Sequence, residues 1–97
     1  MSIIAGIQVS ANKYYEDQAG TVLTAAFVEQ EFDFHSICII IANDATGKYI
    51  EYSFDGTNVH GRIEDDDDQP KVMMLRYQKS IYLRGESGGE AYRLEVY

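Results

Sequence analysis

The chain has no tryptophan, one cysteine (Cys38), one proline (Pro70) and two histidines (His35 and His60). Each scarcity excludes something. One cysteine cannot close a disulfide within the chain, and a cysteine-based zinc site lacks its ligands. Lysine and arginine total eight against sixteen acids, for a net charge of −8. That balance argues against a surface built for nucleic acid, where clustered bases replace phosphate counterions, and against docking on anionic lipid. Long apolar runs are also missing. The longest, Ile37 to Ala42, is strand-sized and far short of the ~18–20 residues of a membrane-spanning helix. The start, MSIIAGIQVS, has neither a basic segment nor a long apolar centre. No signal peptide is expected, and folding in a cytoplasm is the natural reading.

What is present is alternation. Ninety-seven residues fit one domain, spanning 1–97, with a thin core. Ile3, Ala5, Ile7 and Val9 share one face of a first strand. Asn12 to Gly20 reads as a polar loop or a single helical turn. Thr21 to Phe34 reads as two short strands broken near Glu29-Gln30-Glu31. Ser36 to Asn43 is apolar on both faces, the pattern of a strand covered on both sides. Asn43 to Gly47 has turn chemistry, since Asn and Asp bond their own backbone and Gly accepts positive φ. Tyr49 to Phe54 alternates, Asp55-Gly56 reverses the chain, and Val59, Gly61 and Ile63 form the return face. Glu64 to Asp68 is a run of acids closed by Pro70, which forbids a central strand. Val72 to Tyr77, Ser80 to Arg84 and Ala91 to Tyr97 read as further strands, with Gly85 to Glu90 as a flexible hairpin loop. The fold class expected is all-β: one small sandwich or jelly-roll of about eight short antiparallel strands.

No reactive constellation stands out. The acid run has neither the ligand spacing nor the bend-forming glycine of an ordered calcium loop, and a solvated loop is the simpler reading. His60 alternates with Val59 and Gly61 and is expected on the surface. A triad of Ser53, His60 and Asp55 can be drawn, but no nucleophile elbow accompanies it. Cys38, inside SICIIIA, reads as a small buried hydrophobe. The glycines of GESGGE precede a strand rather than a helix, a poor phosphate cradle. Neither catalysis nor a cofactor or metal is expected. Tyrosines are the more informative group. Tyr14, Tyr15, Tyr49, Tyr77, Tyr82 and Tyr97 exceed what one small core can hold. Tyrosine covers area at low entropic cost and keeps a polar tip, so a protein interface is expected ahead of carbohydrate stacking.

Two stretches carry a family resemblance. Ser53-Phe54-Asp55-Gly56-Thr57-Asn58-Val59-His60-Gly61, and later Ile81-Tyr82-Leu83-Arg84-Gly85 before a glycine-rich loop, resemble small β-sandwich virion proteins of tailed bacteriophages. The match covers roughly the C-terminal half; residues 1–35 contribute nothing to it. Glu64 to Asp68 stands where such proteins have a shorter polar link. The resemblance implies a non-enzymatic structural part of a virion, foremost a capsid decoration or cement protein. Such a protein would be made in the host cytoplasm, form homo-oligomers on the particle and bind major capsid or other virion proteins. A neck or tail component is the alternative, as is a small glycan- or calcium-binding β module. The expected interface residues are Tyr49, Asp55, Asn58, His60, Tyr82 and Arg84.

Overall fold

The computed structural model describes residues 24–66 and 68–97 with their side chains, and the backbone of three strands nearer the N-terminus. Those three are β1 (Ser2–Ile4), β2 (Ile7–Val9) and β3 (Tyr15–Asp17). The remaining strands are β4 (Val28–Glu31), β5 (Cys38–Asn43), β6 (Ile50–Ser53), β7 (Gly61–Ile63), β8 (Lys71–Met74), β9 (Ser80–Gly85) and β10 (Tyr92–Val96). One antiparallel sheet runs β3-β10-β5-β8 and the other runs β4-β9-β6-β7. β1 and β2 pair with each other as a ribbon.

The two sheets form an all-β sandwich whose core comes from the alternating residues of both. Ile39 and Ile41 on β5 and Tyr92, Leu94 and Val96 on β10 meet Ile50 and Tyr52 on β6, Ile63 on β7 and Ile81 and Leu83 on β9. All ten are buried, as period-two strands with one face inward require. The chain crosses between sheets at almost every connection after β3. Only β6 and β7 are sequence neighbours paired within one of the two large sheets.

Buried polar side chains hold these crossings. Asn43, at the end of β5, donates its amide to the carbonyls of Lys48 (2.8 Å) and Ile63 (2.9 Å) and accepts from the Ala45 N–H (2.7 Å). Ser36, fully buried, donates to the Arg76 carbonyl and accepts from the Gln78 N–H, pinning the chain as it leaves β8. Leu75 ends β8 in the left-handed region, with φ of 56°. Glu90, 1% exposed, lies across Gly85 and accepts from the Ser87 N–H and hydroxyl. A side chain at position 85 would collide with that carboxylate, so the close approach demands glycine.

Several expectations change. The strand read over residues 3–9 is two strands, β1 and β2, paired antiparallel. The side-chain alternation expected there, and Tyr14 and Tyr15, lie outside the residues whose side chains are described. Tyr15–Asp17, read as loop, is a strand on the sheet edge beside β10. Glu29-Gln30-Glu31, read as a break, is the body of β4. Its place at a sheet edge lets exposed Glu29 and Glu31 reach water while the backbone pairs with β9. Val59 is 44% exposed and belongs to the loop rather than to the return strand, because β7 begins only at Gly61. Gly85 to Glu90 does not close a hairpin: β9 and β10 lie in different sheets, and Glu90 orders the loop between them.

Two substitutions test this description. Gly85→Ala should destabilise the protein by about 1–3 kcal/mol in urea unfolding, because Glu90 has to leave its buried seat. Leu75→Asn should leave stability unchanged or raise it by up to about 1 kcal/mol, since Asn tolerates the left-handed backbone better than Leu.

Candidate interaction face

The outer face of the β4-β9-β6-β7 sheet carries a row of interlocked side chains. In the strand register Glu51 lies directly between Arg62 on β7 and Arg84 on β9. Each arginine takes one carboxylate oxygen: Arg62 Nη2 reaches Oε2 at 2.9 Å, and Arg84 Nε reaches Oε1 at 2.9 Å. The guanidinium of Arg62 lies over the Tyr49 ring (3.8 Å), and that of Arg84 over the Phe27 ring (4.3 Å). The row therefore reads Phe27, Arg84, Glu51, Arg62, Tyr49. Only the two arginines need to reach water; the Glu51 side chain is 7% exposed. Burial by itself pushes the Glu51 carboxyl up. The hydrogen bonds and charges of Arg62 and Arg84 outweigh it and hold the carboxyl below its ordinary value.

The hairpin tip between β6 and β7 is built as tightly. Ser53 Oγ accepts from the Asp55 (3.2 Å) and Gly56 (2.9 Å) N–H groups and donates to Asp55 Oδ1 (2.9 Å). Asp55 Oδ1 also accepts from the N–H groups of Thr57 and Asn58, both at 2.8 Å, and Oδ2 accepts from the Asn58 amide at 2.7 Å. Those donors, led by the Asn58 N–H, hold the Asp55 carboxyl far below the usual carboxylate range. Gly56 has φ of 80°, and an added Cβ would stand 3.0 Å from the Tyr82 ring. Tyr82 in turn hydrogen-bonds Glu29, and that bond, ahead of burial and the nearby carboxylates, pushes its hydroxyl pKa up.

Five of the six residues expected at an interface are thereby gathered. Tyr82 and Arg84 point outward from β9 and Tyr49 caps the end of the Arg–Glu row. Asp55 and Asn58 form the tip above Tyr82. His60 is different. It stacks on Phe54 (5.1 Å), which packs against the core, and its Nδ1 accepts from the Phe54 N–H at 3.0 Å. An open hollow of about 240 Å³, lined by Glu29, Glu31, Phe32, Lys79 and Ser80, continues the face along the β4 edge.

The remaining candidates do not assemble. Ser53 donates to Asp55 while the backbone occupies His60 Nδ1, so no Ser–His bond exists and the drawn triad has no relay. Within the acid run, Asp66 accepts from the Thr46 hydroxyl and Asp68 from the Glu64 N–H. Among the described residues no group of three His, Cys, Asp or Glu side chains is placed to hold a metal ion. Cys38 is half-buried, and burial pushes its thiol pKa up, away from the thiolate a nucleophile needs. Among the described residues no helix is long and apolar enough to cross a membrane. No protein-family model matches the chain, and neither a curated protein nor a solved structure matches it.

Sequence reading missed Glu51, Arg62 and Phe27 as part of this face. A charged residue between Ile50 and Tyr52 on a strand was the available signal, but its two partners depend on strand register.

Glu51→Ala should cost about 1.5–3 kcal/mol, the range for hydrogen bonds to charged groups, because it removes the acceptor for both arginines. The depressed Glu51 carboxyl gives a definite sign to the pH dependence. Its contribution is present above the unfolded-state value, about 4.3, and is lost as pH falls from there through the lower folded-state value. Glu51→Gln should therefore flatten the acid limb of a stability-against-pH curve; an unchanged limb would exclude the row as its source. At the tip, Gly56→Val should lower stability by more than about 1 kcal/mol, through both positive φ and the Tyr82 contact.

Proposed function

We propose that this protein is a non-enzymatic structural component of a tailed-bacteriophage virion. It seats on the head as a decoration or cement protein and binds shell subunits through the outer face of the β4-β9-β6-β7 sheet. The observation that carries the reading is the pairing of β6 with β9, which sets Ser53 opposite Tyr82 and brings the Tyr82 ring close to Gly56. It joins in space the two stretches that resemble phage virion proteins, Ser53 to Gly61 and Ile81 to Gly85. The exposed side chains of the two stretches thus lie on one side of the sheet, while Ser53, Ile81 and Leu83 are buried beneath them. A face of this kind suits docking. Its aromatic and arginine side chains are the types enriched at binding hot spots, and the Glu51 row and the Asp55 tip fix them before a partner arrives. Many such contacts repeated over a symmetric shell add through multivalency, so each can be weak.

Quantitative mass spectrometry of purified particles tests the assignment. A copy number equal to that of the major shell protein, or a simple fraction of it, is the expected result. A number matching only a small ring would move the protein to the neck or tail, and absence from particles would overturn the virion reading. Tyr49→Ala, which leaves the core untouched, should weaken attachment to shells about tenfold or more.

A further inference from the structure

The β3-β10-β5-β8 sheet ends at β8, and among the described residues nothing pairs with the outer edge of that strand. Open edges are ordinarily blunted with charge, proline or a bulge. Here Pro70 and Lys71 guard only the entrance. Val72, Met74 and Leu75 follow, at 51, 68 and 67% exposure, the three largest exposures among the described bulky apolar residues. Val72 pairs with Ile40 and Met74 with Cys38, so the exposed side chains extend an apolar strip across the outer face of the sheet. Leu75 adds a backbone in the left-handed region, an outlier for a branched apolar residue on the surface.

Charge around the strand is polarised. Lys71 to Lys79 has no acid: Lys71 stands at the entrance, and the exit carries Lys79 and Arg76, whose guanidinium lies over the Phe54 ring (3.6 Å). Among the described residues none of the three forms an ion pair. Immediately upstream lie Glu64, Asp65, Asp66 and Asp68. An antiparallel neighbour identical to this strand would set the acidic entrance of one copy beside the basic exit of the other, twice, about a two-fold axis. Residues opposite each other in an antiparallel pair share a face, so the Val72 and Met74 strips of the two copies would become continuous.

We propose that β8 is a self-association edge: two copies pair antiparallel through Lys71–Met74 and fuse their four-stranded sheets into one of eight strands. The proposal is independent of the virion reading and uses the opposite sheet of the sandwich. Complementary charge at the edge works against the repulsion of two −8 chains and sets the antiparallel direction.

Sedimentation velocity of the full chain, from micromolar to hundreds of micromolar, should show a reversible monomer–dimer equilibrium. Val72→Lys with Met74→Lys should shift the dissociation constant by about tenfold or more towards monomer, with an unchanged circular dichroism spectrum. Asp66→Asn with Asp68→Asn separates this edge from general repulsion. It reduces the net charge of −8 by two negative charges, so simple repulsion would make the dimer tighter, whereas edge pairing makes it weaker. If the lysine variant fails to fold, Val72→Cys with Met74→Cys in a Cys38→Ser background should oxidise to a covalent dimer, since cross-strand cysteines lie within disulfide reach. A wild-type chain that stays monomeric at every concentration overturns the proposal. So does a dimer indifferent to the lysine pair or tightened by the Asn pair, or a cysteine variant that gives no covalent dimer.

Discussion

Glu51 is a charged group in the middle of a strand that also supplies Ile50 and Tyr52 to the core, and the sheet around it is arranged to make that tolerable. A lone carboxylate taken out of water would cost several kcal/mol or take up a proton. Two arginines on the flanking strands keep it ionised, and each is held by an aromatic ring beyond it. The pairing works in only one register. A slip of one residue in β7 or β9 would turn Arg62 or Arg84 into the core and leave the carboxylate with only one of its two partners. The same residues therefore set strand alignment and surface chemistry together.

Buried polar groups perform a related task where the chain changes sheets. Asn43 satisfies two carbonyls from other segments and Ser36 clamps the exit from β8. Glu90 fills the space over Gly85 with a carboxylate. Each fixes a crossing that apolar packing alone would leave free to slide. The core is then divided in function: aliphatic side chains hold the two sheets together, and a few polar ones decide how the chain passes between them.

How much of this the sequence disclosed depended on range. Period-two alternation placed β5, β6, β9 and β10 to within a residue or two, because each buries one face in a common core. Two of the four edge strands, β3 and β4, escaped. β4 consists of Glu and Gln after one Val, and only its pairing with β9 makes it a strand. The loop from Gly85 to Glu90 looks like a hairpin because local sequence cannot tell whether two strands share a sheet. The tip was legible, since Ser53, Asp55 and Gly56 act within a few residues of one another. The Glu51 row was not, because Arg62 and Arg84 reach it from eleven and thirty-three residues away.

The alternation of the chain between sheets has a kinetic consequence. β10, the last strand, lies between β3 and β5, and β9 lies between β4 and β6. The β4-β9-β6-β7 sheet lacks an interior strand until Ser80–Gly85 has emerged from the ribosome, and the β3-β10-β5-β8 sheet until Tyr92–Val96 has. The earlier strands must wait with their pairing edges unoccupied, and the non-local closures that follow are of the slow kind. Closure of each sheet thus depends on a strand made well after its neighbours. During the interval the apolar strand Cys38–Asn43 lacks its central partner, which makes it the segment most in need of protection from its neighbours on the polysome.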